Sequence, residues 1–394
     1  MVRAALFLLA GCLAAAGVAA HDHAPAKPAG DYARMWQERQ EKAPRLAVAA
    51  SFDAAGRLWL ARAVGRHLQL SHSDDGGRHF SPPLTVNREP ELIAADGEAR
   101  PHIAVVGQRI YLSWTQTLPQ PFAGHIRFTV SDDGGRTFAE PQTVNDHQAP
   151  ITHRFNAMLA DARGVSVAWI DKRDGDGRGD YRGAAIYTAR STDGGKSFAA
   201  NRKLAEHSCE CCRLAMVADA DGTPVVFWRQ IFERNIRDFA VARFDEAPLR
   251  ASQEGWAIDA CPHHGGALAV DAGGARHLAW FTGAEASPGL HYRRLDGGQM
   301  TVPLPFGNLD AQAGHPALLA LAGDVHLVWR EFDGQKNRIL GMRSTDRGDT
   351  WSQPAELAAT SGAADDPLLL SGRGAAWLLW NTVDAGLKII RVSP

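Results

Sequence analysis

From Arg45 onward, one pattern returns at a spacing of roughly fifty residues, the range of propeller blades. A short apolar run is followed by a glycine-bearing turn and a second apolar run that usually closes on tryptophan. The first runs are Leu46-Ala47-Val48, Ile103-Ala104-Val105, Ala157-Met158-Leu159, Leu214-Ala215-Met216, Leu268-Ala269-Val270, Leu318-Leu319-Ala320 and Leu368-Leu369-Leu370. The second runs end at Trp114, Trp169, Trp228, Trp280, Trp329 and Trp380, with Arg62 in that place in the first repeat. Short and uncharged on both faces, these runs read as strands buried between neighbouring sheets. The tryptophans are then packing residues rather than a cofactor or sugar platform. At 394 residues the chain has the length of two or three average domains, but the repetition makes it one all-β unit, a propeller of four-stranded blades.

A sharper signature closes the third run of several repeats. It reads Ser73-Asp74-Asp75-Gly76-Gly77-Arg78-His79-Phe80 in the first copy and Ser131-Asp132-Asp133-Gly134-Gly135-Arg136-Thr137-Phe138 in the second. Ser191-Thr192-Asp193-Gly194-Gly195-Lys196-Ser197-Phe198 and Ser344-Thr345-Asp346-Arg347-Gly348-Asp349-Thr350-Trp351 complete the set. All fit Ser-x-Asp-x-Gly-x-x-aromatic: Ser and Asp can bond turn amides, glycine takes a positive φ, and the aromatic pins the hairpin. These boxes resemble the Asp-box (BNR) repeats of the sialidase superfamily over nearly the whole of residues 45–394, and the resemblance implies a β-propeller. From Ser191 to Ser344 is 344 − 191 = 153 residues, room for two blades without the box. First runs count to seven blades, against the six of sialidases. The last repeat stops after a third strand, so residues before Arg45 are expected to supply its fourth and close the ring.

Residues 1–20 read as a signal peptide: a basic start at Arg3, an apolar stretch, and Val18-Ala19-Ala20 as a small-residue cleavage site. Residues 21–44 are then a tail with a possible closing strand, and 45–394 the propeller. Export to a periplasm or the medium follows. Leu9-Ala10-Gly11-Cys12 also matches a lipobox, which makes a lipoprotein anchored through Cys12 the lesser alternative. No other apolar run nears the ~18 residues of a membrane span. The net charge of −2 gives no basic field for nucleic acid.

Five cysteines occur, one within the leader, and three of the other four crowd into His207-Ser208-Cys209-Glu210-Cys211-Cys212-Arg213. The fourth opens Cys261-Pro262-His263-His264. Both clusters immediately precede first strands, as does His315. In a propeller those blade-to-blade connections share one face, near the axis, opposite the Ser-x-Asp turns. Thiolate and imidazole are ligands for Cu(I) or Zn(II), so Cys209, Cys211, Cys212, Cys261, His263, His264 and His315 are candidate metal ligands, copper first and zinc second. Disulfide pairing stays open, since four cysteines is an even number in an oxidising compartment. A bridge within Cys-x-Cys-Cys would be strained, however, and one to Cys261 leaves two thiols over. Arg100, Arg154 and Arg213, in comparable places, are expected to bind an anionic small molecule or to balance thiolate charge.

The sialidase resemblance implies three arginines on a carboxylate, a tyrosine nucleophile with a glutamate partner, and an aspartate acid/base. Arg45, Arg100, Arg154 and Arg213 are available, but Arg45-Leu46-Ala47 lacks the proline of the family's Arg-Ile-Pro. Tyr292 is the sole late tyrosine on a suitable strand, and no glutamate partner matches. The expectation is therefore an exported, sialidase-like propeller that binds or handles a metal, with possible thiol redox chemistry and another exported metal-handling protein as partner. The alternatives are a glycoside hydrolase and a non-catalytic protein- or glycan-binding propeller.

Overall fold

The computed structural model describes residues 29–175 and 183–392. It is a ring of seven antiparallel sheets, each a meander in chain order. The innermost strands are Val48–Phe52, His102–Val106, His153–Asp161, Ala215–Ala218, Ala267–Val270, Gly314–Leu321 and Leu368–Gly372. Each neighbours the next around the axis, and the last neighbours the first, closing a seven-bladed β-propeller. The first inner strand starts at Val48, two residues later than the apolar pattern suggested.

The tryptophans at the ends of the second strands do the packing work expected of them. Trp114, Trp169, Trp228, Trp280, Trp329 and Trp380 are among the largest fully buried side chains of the protein. Burying an indole strands its N–H unless an acceptor is at hand. Each has one: Glu91, Asp171, Gln230, Glu254, Glu331 and the Asp365 carbonyl respectively.

All four Ser-x-Asp turns share one bonding scheme. In the second copy Ser131 Oγ donates to Asp133 Oδ1 at 2.8 Å and accepts from Gly135 N at 2.9 Å, while Asp133 accepts the amides of Arg136 and Thr137. These bonds hold Asp133 well below the usual carboxylate range. The second residue of the turn has positive φ, which Gly76, Gly134 and Gly194 adopt freely. Arg347 stands there in the fourth copy at φ 59°, held by its 2.7 Å contact with Asp271.

The ring closes differently from the sequence expectation. The seventh blade has three strands among the described residues, Leu368–Gly372, Ala375–Thr382 and Gly386–Arg391. The described residues before Arg45 add no strand to it; Ala29–Lys42 is instead a helix, α1. Its sequence explains why: Ala, Arg, Met, Gln, Glu and Lys dominate and no residue is β-branched. Blades one and seven meet instead through side chains. Val48, Ala50, Leu58 and Leu60 pack with Leu379, flanked by Phe52, Trp377 and Ile389. Asn381 Nδ2 donates to Leu46 O at 2.8 Å and Arg373 Nε to Gly56 O at 2.6 Å across the same seam.

With no shared strand, the apolar seam carries closure. Leu379→Ala should cost about 2–5 kcal/mol, the range for a buried leucine truncation. Urea unfolding checks this; a loss well under about 1 kcal/mol would move the burden of closure elsewhere.

Candidate metal centre

The connection from the outer strand of blade three (Arg202–Ser208) to the inner strand of blade four crosses from rim to axis and carries the three clustered cysteines. Backbone bonds fix it: Cys209 N donates to Arg229 O at 2.9 Å and Ile231 N to His207 O at 2.7 Å. Cys209, Cys211 and Cys212 are 0, 5 and 1 % exposed. Their sulfurs form a near-equilateral triangle with sides of 3.7, 3.8 and 3.9 Å. The centre of such a triangle lies about 2.2 Å from each sulfur, close to the ~2.3 Å of a zinc–thiolate bond. The spacing is far too long for a disulfide, and all four cysteines of the described residues are free thiols.

The electrostatics around the triangle are lopsided. Arg237 Nη1 lies 3.3 Å from Cys209 Sγ. Arg229 spends its hydrogen bonds on the carbonyls of Arg237, His264 and Phe281. Arg154 lies over its own Phe155 ring with an unpartnered Nε; burial lowers its pKa and the charge of Asp96 opposes that. These three arginines are 1 % (Arg229), 9 % (Arg237) and 8 % (Arg154) exposed, and among the described residues none has a carboxylate within ion-pair distance. Hydrogen bonds from Cys211 and Cys212 hold Cys209 below the ordinary thiol range, against burial and with help from Arg229 and Arg237. The same bonds push Cys211 up, and burial pushes Cys212 up, so of the three thiols Cys209 is the one favoured as thiolate.

A second polar group sits across the same axial cavity. His315 Nδ1 is 3.2 Å from Glu98 and 3.0 Å from Asp366. Arg213 pairs with Glu98 at 3.0 Å, Arg330 with Asp366 at 3.0 Å, and the amides of Arg213 and Gly265 donate to Glu98. Burial alone would lower His315 and raise Glu98, but the opposed charges win: the imidazole is raised and the carboxyl lowered. His264 stacks on His315 at 4.7 Å and is pushed down to about 3 by burial and then by that neighbouring charge. Two arginines already neutralise these carboxylates, so the group does not suit a cation. Close approach requires glycine here: a Cβ on Gly97 would lie 2.0 Å from Asp366 Oδ2.

The expected site residues thus divide. Cys209, Cys211 and Cys212 come together; His315 belongs to the ionic group; His264 stacks between His315 and Phe281; His263 lines the cavity wall. Cys261 is exposed beside Cys211. Arg213 is committed to Glu98, and Arg100 to the Val48 carbonyl and Asp365, leaving Arg154 as the unpaired one. Tyr292 is buried between blades five and six, its hydroxyl 2.7 Å from His277 Nδ1 and its ring against Trp351, and it does not line the cavity. Sequence reasoning missed Glu98 and Arg237. Glu98 was findable, since it precedes an inner strand as the cysteines do.

The cavity itself is about 960 Å³. Helix α1 roofs it with Tyr32, Trp36 and Arg39, anchored by Trp36 on Phe122 at 4.3 Å and by Gln37 Nε2 on Pro119 O at 3.1 Å. A smaller cavity of about 490 Å³ is lined by Glu210, Arg237 and Cys261 among others. The expected signal peptide, with Cys12, lies outside the described residues. Among those described, no helix is long and apolar enough to cross a membrane.

No family profile matches the chain, and no curated protein matches it in sequence. Solved structures do match in shape. A PL25 ulvan lyase bound to -[GlcA(1-4)Rha3S]- is 12 % identical with a TM-score of 0.58 over 89 % of this chain and 93 % of that one. The BP39L lectin from Burkholderia pseudomallei is 10 % identical with a TM-score of 0.56 over 89 % and 100 %. The microbial sialidase Hz136 is 14 % identical with a TM-score of 0.47 over 84 % and 74 %. The propeller read from the repeats is matched at the level of fold.

The ionic group generates a pH prediction. His315 should titrate above the ordinary value of 6.5 by NMR, and Asp366→Asn should bring it down. A raised folded-state pKa means stabilisation that is complete below the unfolded value and lost as pH rises through the folded one. The stability gap between parent and Asp366→Asn should therefore narrow toward alkaline pH. An unraised His315 in the parent would show that the carboxylates do not hold its charge.

Proposed function

We propose that this is an exported propeller that binds one soft metal ion, Cu(I) before Zn(II), through Cys209, Cys211 and Cys212. The observation that carries this reading is the conjunction of the sulfur triangle with three buried arginines that make no ion pair among the described residues. Burying a guanidinium without a counter-charge costs on the order of several kcal/mol. Three thiolates would supply those counter-charges, and they exist together only around a cation, because mutual repulsion otherwise keeps two of the thiols protonated. Three guanidiniums and three thiolates then cancel, leaving the charge of the ion. A zinc site asks for four ligands. Among the described residues, the compact donor set has three members, all sulfur, which favours Cu(I) as the softer ion.

The chain's own groups divide the work. The Cys209–Cys212 connection holds the donors, Arg237 and Arg229 keep Cys209 ionised, and Arg154 faces Cys211 from the cavity. Burial excludes water and oxidants from the sulfurs. The ion when bound would supply Lewis acidity or one-electron chemistry, and binding or sequestration needs neither.

A second reading rests on the cavity, which combines aromatic walls with the unpaired Arg154 and suits an anionic glycan. The ulvan lyase and the lectin named above share only the fold with this chain, so this reading ranks below the first.

Protein purified from an exporting host under anaerobic conditions should take up one Cu(I) per chain in a competition titration against bicinchoninate. Cys212→Ser should abolish tight retention while circular dichroism and the urea midpoint stay close to those of the parent. Full retention by Cys212→Ser would remove the trithiolate site. Stoichiometric Zn(II) in place of Cu(I) would change the ion and keep the ligands.

A further inference from the structure

We propose that Cys261 is the exchange ligand through which the ion enters and leaves the trithiolate centre, and that the smaller cavity is where a sulfur-bearing donor or acceptor docks. This rests on the metal reading above. Three buried sulfurs cannot meet an ion from solvent unaided, because thiolate-bound metal moves between sites by ligand exchange, one sulfur arriving before another departs. Cys261 is the exposed cysteine of the described set. It lines the axial cavity together with Cys211, and it lines the 490 Å³ cavity as well. Among the described residues, no other residue with a sulfur ligand lines the smaller cavity.

The smaller cavity has the chemistry for an anionic thiolate complex. Arg237 spans it, lining the cavity while its Nη1 contacts Cys209. Asn235 orients that arginine through Oδ1 at 3.1 Å and bonds Asp259 at 3.2 Å. Glu210, on the same wall, is already paired with Lys172 at 2.9 Å, so it repels an incoming anion less than a free carboxylate would. The axial side is roofed by helix α1, whereas the smaller cavity is lined by none of its residues.

The exchange involves no change of oxidation state. The Cys261 thiolate gives an electron pair to the ion while a donor sulfur leaves with its own pair and takes a proton. The Cys209 thiolate and the thiols of Cys211 and Cys212 then bind in turn, the two thiols releasing their protons to solvent, and Cys261 is displaced and reprotonated. Unloading is the reverse.

The test is stopped-flow transfer of Cu(I) from its bicinchoninate complex to the full chain, and back to excess chelator. Cys261→Ser should slow both directions by about tenfold or more while the equilibrium constant moves by no more than about threefold, since the thiolate is the attacking ligand. Alkylating the exposed thiol of the loaded parent with iodoacetamide should slow release in the same way, without any substitution. Unchanged rates in both experiments, or a release that Cys261→Ser speeds in proportion to lost affinity while uptake is unchanged, overturn the proposal. Absence of Cu(I) uptake by the parent overturns the metal reading itself, a different failure.

Discussion

A propeller is stable only if its first and last blades meet, because every other interface depends on the ring being tight. Many rings secure this by sharing a strand between the termini; here, among the described residues, the first and seventh blades are joined by an apolar seam around Leu379 and by Arg373 and Asn381 reaching to backbone carbonyls. Closure then fixes everything at the axis. Seven inner strands run side by side, so the connections entering them must converge on one mouth. Glu98, Arg154, Cys211, His264, His315 and Asp366 are brought to one cavity by that geometry although they come from six different blade connections.

Convergence concentrates charge in a place with little water, and the protein resolves this in two ways. Around His315 the solution is internal: carboxylates and guanidiniums pair within 3.0–3.2 Å, and Gly265 and Gly97 leave room for them to approach. Around the thiols the solution is incomplete. Among the described residues Arg154, Arg229 and Arg237 have given up hydration without gaining an ion pair, whereas the half-buried Arg100 and Arg127 each have one, with Asp365 and Glu91. That imbalance is what the proposed thiolate–metal centre would remove.

The fold was legible because its signals are local and repeated. Each inner run, each closing tryptophan and each Ser-x-Asp turn states the same module, and seven copies leave little freedom. The closing strand was misjudged because α1 interrupts the repeat: Ala29–Lys42 has helix-forming composition, and position in the chain was given more weight than that composition. The site was legible only in part. Clustered cysteines announce themselves, and blade connectivity placed them on the axial face. Arg237 gave no comparable signal, since it lies in a loop between second and third strands and matters only through one contact, with Cys209. Tyr292 misled because alternation along its strand, Gly289–Asp296, says which side chains leave the sheet but not whether they meet an adjacent blade or open space.

The choice between a bound ion and a disulfide turns on parity and charge together. A bridge uses two sulfurs of the triangle, and whichever two it takes, it leaves at most one thiolate facing three guanidiniums. Pairing Cys211 with exposed Cys261 instead would keep Cys209 and Cys212 as a buried thiol pair sharing a single charge, again two short of the cations around them. Neither oxidised form removes the imbalance that the fold already carries. A single soft cation does the reverse: it lets all three thiols ionise, matches the three arginines one for one, and needs no movement of sulfurs already 3.7–3.9 Å apart. Oxidation would accordingly compete with metal binding for the same sulfurs, and the buried arginines tilt that competition toward the metal.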